Sequence, residues 1–258
     1  MHNHSITALI LTYNEEKHIA RCINSLKEYC KEIFIIDSFS GDDTIKIANK
    51  LGAKVYQHTF ENQARQFNWA INNCPITSDW IWRVDADEYI EPLLAEKVVT
   101  CLQNIAPDVN GIYVNKKIVF MGRPLLHGGW YPAQQIKIIR KRYGASEDKW
   151  MDEHLIIFSG TTISIDGDQT DENLNDLSWW TQKHNNYSGR EAINMLLMEY
   201  GIGSRDKEVR PKFLGTGAER KRWLKMKYIK APLFLRPFIN FFIQYILKAG
   251  FLDGKQGF

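Results

Sequence analysis

Trp80-Ile81-Trp82-Arg83-Val84-Asp85-Ala86-Asp87-Glu88 is the stretch that decides the fold. It reads as a short buried strand, Trp80 to Val84, cut off by an acidic cluster beginning at Asp85. Towards the N-terminus, similar runs recur with room for one helix between each. Ile6 to Leu11 is a short apolar run of the kind expected of a buried strand. Behind it Ile19, Cys22, Ile23, Leu26 and Tyr29 recur at helical spacing, predicting a helix from about Glu15 to Tyr29. Ile33 to Ile36 predicts a second strand ending at Asp37. Ser40 to Asp43 offers capping side chains for a helix that ends near Leu51, with Gly52 as its stop. Ala53 to Tyr56 predicts a third strand and Gln63 to Asn72 another helix. This alternation implies βαβ units and a mainly parallel sheet flanked by helices, an α/β fold.

Beyond residue 108 the pattern changes. Gly111 to Val114 and Gln134 to Ile139 predict strands on either side of a glycine-rich loop, His127-Gly128-Gly129-Trp130. Leu155 to Phe158 predicts another strand, after an acidic patch at Asp152-Glu153. A long helix is expected to begin after Asp176 and run to Tyr200. No internal repeat or low-complexity linker interrupts the chain.

The bulk properties exclude several classes. At 258 residues, 44% hydrophobic and 24% charged, the composition is that of a globular protein rather than a disordered or fibrous one. A net charge of +3 does not argue for a nucleic-acid partner, although the basic residues crowd towards the C-terminus. Cys22, Cys30, Cys74 and Cys101 form no CxxC pair and no zinc-site spacing, so buried free thiols in a reducing compartment are expected. The apolar run before Thr12 has six residues and no cleavage pattern follows it, which predicts a first strand rather than a signal peptide and a cytoplasmic location.

In open parallel sheets, ligands collect beyond the carboxyl ends of the strands. Three predicted strand ends carry polar residues in a row: Thr12-Tyr13-Asn14-Glu15, Asp37-Ser38 and Asp85-Ala86-Asp87-Glu88. Where a strand ends, the backbone can turn Asp85 and Asp87 towards a common centre. Their hard oxygen ligands suit magnesium or manganese, which would also hold a diphosphate. The structural alternative has both aspartates capping a helix that starts near Pro92.

ALILTYNEE, IIDSFSGDDT, ARQFNWA and WRVDADE, in that order and spacing, make roughly residues 5 to 200 resemble the family-2 glycosyltransferases of the GT-A fold, above all bacterial lipopolysaccharide-core and surface-polysaccharide transferases. Those transferases also carry a His-Glu pair, matched here by Asp152-Glu153, and a KHNxY string, present as Lys183-His184-Asn185-Asn186-Tyr187. The resemblance implies residues 1–200 as a GT-A catalytic domain, with a nucleotide-sugar half at 1–105 and an acceptor half at 106–200. It implies that Thr12, Tyr13, Asn14 and Glu15 line the nucleoside pocket and that Asp37 binds the base. Arg65 and Asn68 would lie near the nucleotide, Asp85 near the ribose or metal, and Asp87 would be the main ligand to Mg2+ or Mn2+. The implied reaction is an inverting displacement on a nucleotide-diphosphate sugar, by default a UDP-sugar, by a saccharide or lipid-linked saccharide. Glu153 would be the general base, with Asp152 in reserve, because an acceptor hydroxyl is a poor nucleophile until a carboxylate takes its proton.

Each role has a structural alternative. Asn14 and Glu15 can start a helix, Asp37 can belong to a turn with Ser38 and Ser40, and Arg65 can be a solvated helix residue. Asp152 and Glu153 can pair with Lys149. Phe39 stands where many relatives have glycine. His154 is expected to be a structural hydrogen-bonder, and Trp130 and Tyr131 to stack on a sugar ring. Arg140 can hold phosphate, while Lys137, Lys141 and Arg142 suggest a merely basic surface.

Residues 201–258 are expected to form a basic, aromatic helical extension. Arg220, Lys221, Arg222, Lys225, Lys227 and Lys230 interleave with Trp223, Met226 and Tyr228, and an apolar segment follows. Its longest uncharged stretch, Pro237 to Leu247, has 11 residues, too few to span a bilayer. Two expectations follow: peripheral contact with the inner face of the plasma membrane through residues 219–258, or a helical hairpin packed on the catalytic domain. No nucleic-acid module accompanies the basic run. A sugar-phosphate nucleotidyltransferase would open with a glycine-rich loop where TYNEE stands, and no GxGxxG follows a strand as a dehydrogenase requires. A non-catalytic scaffold retaining the fold is the competing reading from another class.

Overall fold

The computed structural model describes residues 6–148, 154–200, 223, 227–228 and 231–258. Strands β1 (Ile6–Thr12), β2 (Glu32–Asp37), β3 (Lys54–Gln57) and β4 (Trp80–Asp85) alternate with helices α1 (Ile19–Leu26), α2 (Thr44–Lys50) and α3 (Gln63–Asn73). After β5 (Glu88–Ile90) and α4 (Pro92–Gln103) come β6 (Val109–Phe120), β7 (Arg123–Pro124), β8 (Ala133–Arg140), β9 (Gly144–Ser146), β10 (Leu155–Ile157), β11 (Thr161–Glu172) and α5 (Leu177–Glu199). The main sheet runs β3-β2-β1-β4-β8-β6-β11-β5, with β7 beside β6, while β9 and β10 form a separate pair.

β1, β2, β3 and β4 pair in parallel, and β8 enters antiparallel to β4. Because the chain steps outward from β1 to β3 and then returns to the other side of β1 as β4, the strand order reverses there. That switch point is where ligands sit in such sheets.

The alternation of side chains along β1 separates two cores. Ala8 and Ile10 face Ile19, Cys22, Ile23 and Leu26 of α1, with Leu94, Ala95 and Val98 of α4 in the same cluster. Leu9 faces Phe67 and Ala70 of α3, with Phe34, Ile36 and Ile81. The four buried residues of α1 carry the helical spacing read from the sequence, and each such side chain contributes about 1.5–3 kcal/mol.

α1 is shorter than predicted and starts at Ile19 rather than near Glu15. Ahead of it the chain makes a tight turn, with the His18 and Ile19 N–H groups both donating to Glu15 O, while Asn14, Glu15 and Glu16 give their N–H groups to Ser40 Oγ, Thr44 Oγ1 and Asp42 Oδ2. Asn14 adopts a left-handed conformation at φ 56°, and its Oδ1 accepts the Gly41 N–H. The loops after β1 and β2 are thereby laced together. Of the predicted helix starts, Asp176 is a true cap, accepting the N–H of Trp179 at 2.8 Å.

The C-terminal segment contains a short helix, Arg236–Phe241, continued through Phe242–Leu247 as a wider π-helical turn, and then turns over Gly250–Gly257. It packs on the catalytic body: Gly128 N–H donates to Lys248 O, and Asp253 accepts from both the backbone and the ring of His127.

Candidate active site

Register brings the ends of three strands together. Thr12 pairs with Asp37, and Leu11 pairs with Asp85. Beyond them opens a cleft of about 1990 Å³ whose lining includes Glu15, Arg83, Asp85, Asp87, Lys116 and Lys183. Of the residues that the resemblance assigns to the donor site, Glu15, Asp85 and Asp87 line it. Thr12, Tyr13, Asn14, Asp37, Arg65 and Asn68 stand outside that lining.

Asp85 ends β4 and Asp87 follows in the turn to β5. Neither caps α4, whose N-cap is Glu91. Burial acts to raise the Asp85 carboxyl, but Lys137, Arg83 and Lys116 outweigh it and hold the group well below the usual carboxylate range. Burial pushes the Asp87 carboxyl up, and Asp85 and Glu88 add to this against Lys183 and Asn173. Asn173 Nδ2 donates to Asp87 Oδ2 at 3.1 Å, and Lys183 Nζ lies 3.9 Å from the same oxygen. The Asp87 carbonyl accepts from Arg21 Nη2 and from the Glu172 N–H.

The turn rests on residues whose roles were not read from the sequence. Glu88 is fully buried and accepts the Asp85 N–H at 3.0 Å. Lys137 Nζ holds both Glu88 oxygens and lies 3.5 Å from Asp85 Oδ2, and Gln169 donates to the same carboxylate. Lys137 therefore belongs to the interior, which corrects its reading as part of a basic surface. Strand alternation gave no signal of this, because the pairing of β8 with β6 steps from Ile138 to Ile136 and leaves Lys137 in a bulge. Arg140 is likewise corrected as a phosphate contact: it donates to Val109 O and Ala106 O and stacks 4.8 Å from the Trp80 ring, at the end of β4 away from Asp85.

On the nucleoside side, Asp37 is fully buried. Its oxygens accept from Thr12 Oγ1, Ser40 Oγ and Ser40 N–H, the turn anticipated as its structural alternative. Glu15 is fixed by His18, whose Nε2 accepts the Leu174 N–H and whose Nδ1 therefore donates to Glu15 Oε2 at 2.6 Å. Arg65 is half exposed and paired with Glu61 and Asp148. Asn68 spends its amide on the backbone of Ser146, tying α3 to β9. Asp152, Glu153 and Lys149 lie outside the described residues.

On the far wall, the KHNxY string presents Lys183, His184 and Tyr187 from α5 to the cleft. Lys183 Nζ lies 4.8 Å from the Trp179 ring, and His184 stacks on Trp180 at 3.7 Å. His154 and Trp130 also line the cleft, whereas the Tyr131 hydroxyl donates to Asp168.

A divalent cation fits this arrangement. Asp85 and Asp87 supply two carboxylates, and among the described residues no larger cage of His, Cys, Asp or Glu forms. Magnesium in particular is held by one or two carboxylates with substrate phosphates completing the shell. Burial above all, with Asp85 and Glu88 nearby, disfavours the charged Asp87 carboxylate, which a bound cation would favour.

An uncharacterised glycosyltransferase of Rickettsia conorii is 40% identical over 93 residues, 36% of this chain and 32% of that protein. The lipopolysaccharide core biosynthesis glycosyltransferase LpsC of Rhizobium meliloti is 31% identical over 96 residues, 35% of this chain and 34% of that one. The matches span about a third of these relatives. Among solved structures, glucosyl-3-phosphoglycerate synthase of Mycobacterium tuberculosis in complex with phosphoglyceric acid aligns with a TM-score of 0.52 at 17% identity, covering 83% of this chain and 86% of that one. Its complex with Mn2+, uridine-diphosphate and phosphoglyceric acid aligns with a TM-score of 0.52 at 16% identity, covering 80% and 82%. These likenesses establish the GT-A-type fold. Residues 7–165, more than half of the chain, match glycosyl transferase family 2, and the chain belongs to that family.

Proposed function

We propose that the protein transfers a sugar, with inversion, from a nucleotide-diphosphate donor to a saccharide or lipid-linked saccharide in bacterial lipopolysaccharide or surface-polysaccharide synthesis. The observation that carries this reading is the Asp85-Ala86-Asp87 turn, braced from beneath and open to the cleft where β1, β2 and β4 end together. The division into a donor half at 1–105 and an acceptor half at 106–200 follows the same reading. UDP is the nucleotide of first choice, since the M. tuberculosis structure of similar fold contains uridine-diphosphate. LpsC, by its name, acts in lipopolysaccharide core synthesis, which supports the pathway class.

In this reading Asp85 and Asp87 hold Mg2+ or Mn2+ against the diphosphate. The bound cation stabilises negative charge on the leaving nucleotide. Lys183, beside Asp87, adds a positive charge from the acceptor side. Glu153, with Asp152 in reserve, takes the proton of the acceptor hydroxyl as its oxygen bonds to the anomeric carbon and the bond to the diphosphate oxygen breaks. Peripheral contact with the inner membrane face through 219–258 belongs to the same proposal.

Calorimetric titration with UDP, GDP and CMP, with and without manganese, tests the donor site. Manganese-dependent binding of one nucleotide, lost in Asp87→Ala, is expected. Binding of none of them overturns the donor-site reading, and binding without turnover on any nucleotide sugar favours a scaffold. Undiminished activity in Glu153→Gln removes that residue as base.

A further inference from the structure

The C-terminal helix leaves a row of large apolar side chains exposed. Pro237, Asn240, Phe241, Gln244 and Tyr245 line the cleft, at the i, i+3, i+4, i+7, i+8 spacing of one helical face. That face carries the helix's two amides. The opposite face carries Phe238, Phe242 and Ile246, exposed by 73%, 54% and 45%. Leu233 and Phe234, just before the helix, are each 74% exposed. The cleft side also carries Phe241 and Tyr245, which stack on each other and meet Phe258 edge-on. The helix is therefore apolar on both sides, whereas an amphipathic helix in a water-soluble body keeps one apolar stripe and turns it to the core.

This is not a loose tail. The helix is held through Lys248 O, which accepts the Gly128 N–H at 2.9 Å, and through Asp253, clamped to His127 at 2.7 and 2.8 Å. A contiguous apolar face on an anchored element marks an interaction site. Charge selects the partner. From residue 220 to residue 252 the chain carries eight Lys and Arg and no Asp or Glu. A second copy docked face to face about a two-fold axis would oppose Arg236 and Lys248, the cations at the two ends of the helix, with no acidic residue between them to offset the charge. An anionic lipid surface complements it, since basic flanks beside aromatic and aliphatic side chains are what the bilayer interface takes up. No described helix is long and apolar enough to cross a membrane, so the contact is a surface one.

We propose that the Phe238-Phe242-Ile246 face seats in the interface of an anionic bilayer, so that the cleft opens at the membrane surface and receives a saccharide carried on a lipid. The bilayer contact rests on the helix alone, while the lipid-borne acceptor rests also on the transferase reading. The helix serves as cleft wall and membrane foot at once.

Flotation of the full chain with vesicles of phosphatidylcholine alone, and of phosphatidylcholine mixed with phosphatidylglycerol, tests this. The protein should float with the mixed vesicles and release in high salt. Phe238→Glu combined with Phe242→Glu should lower the bound fraction by about tenfold or more, with thermal midpoint and UDP titration unchanged. Failure of the wild-type chain to float with the mixed vesicles overturns the proposal. So does a wild-type dimer, seen by light scattering, that the double variant dissociates, because the face then belongs to a second copy. UDP binding without flotation removes the bilayer alone. Flotation without UDP binding removes the lipid-borne acceptor and leaves the bilayer contact standing.

Discussion

Lys137 Nζ lies 2.9 and 3.0 Å from the two carboxylate oxygens of Glu88, and both residues are buried directly beneath Asp85. A buried ion pair is weak evidence for stability, because desolvation offsets the attraction. Its value here is positional: Glu88 holds the Asp85 N–H while Lys137 faces the Asp85 carboxylate.

Lys137→Met leaves Glu88 charged and buried beside Lys116 alone, whose Nζ is 3.6 Å away. Urea denaturation should show a loss of about 3–5 kcal/mol, the usual cost of breaking a buried pair from one side. Glu88→Gln together with Lys137→Met should recover most of that stability but not the nucleotide affinity, since the strut under the turn is gone. A single variant as stable as wild type contradicts this account.

The parallel half of the sheet was legible because β1, β2 and β4 are buried on both faces and α1 repeats apolar residues at helical spacing. The boundaries of β2, β3, α3 and β4 fall within a residue or two of those read from the sequence. β11 was not legible. Thr161–Glu172 is rich in Asp and Thr, and it pairs on both edges because its neighbours β6 and β5 are matched in space, not in composition. The acidic turn was visible as a string, but its supports were not. Arg21, Glu88, Lys137 and Gln169 come from four separate elements, and only folding shows that polar groups so far apart in sequence satisfy one another.

Asp253 ties the C-terminal segment to the loop at His127, and the contact should depend on acid. Burial acts to raise its carboxyl, but the hydrogen bonds from His127 overcome this and hold it below its ordinary value. A depressed carboxylate contributes stability that is present above its unfolded pKa, about 3.9, and lost as pH falls through the folded value. Amide exchange over residues 248–257 should therefore accelerate below about pH 4, with the donor half protected to lower pH. Asp253→Asn should show fast exchange at neutral pH already. Equal protection in the variant and wild type removes Asp253 as the clamp.

The thiols should be silent in the native protein. Burial pushes Cys30 up to about 12 and Cys74 up to about 11, so almost no thiolate is present near neutrality. Ellman's reagent at about pH 8 should leave both unmodified, and all four cysteines should react once the chain is denatured. Prompt labelling of Cys30 in the folded state contradicts its burial behind α1.

Asn68 separates the role implied by family resemblance from the one its geometry shows. Its Nδ2 donates to Ser146 O at 2.8 Å and its Oδ1 accepts the Ser146 N–H at 2.9 Å, so the amide closes a two-bond clamp between α3 and β9. Asn68→Asp keeps an acceptor for the Ser146 N–H but sets a carboxylate against the Ser146 carbonyl. That should cost about 1–3 kcal/mol, the penalty of leaving buried polar groups unpaired. If the clamp is the whole role, UDP affinity in manganese stays at the wild-type value. Turnover should nevertheless fall, because residues 144–146 lead directly into the segment carrying Asp152 and Glu153. If Asn68 instead contacts the nucleotide, affinity falls about tenfold or more, since a negative charge then faces the diphosphate. The two outcomes differ in binding, which calorimetry reads without any acceptor, and a loss of affinity at unchanged stability would return Asn68 to the donor pocket.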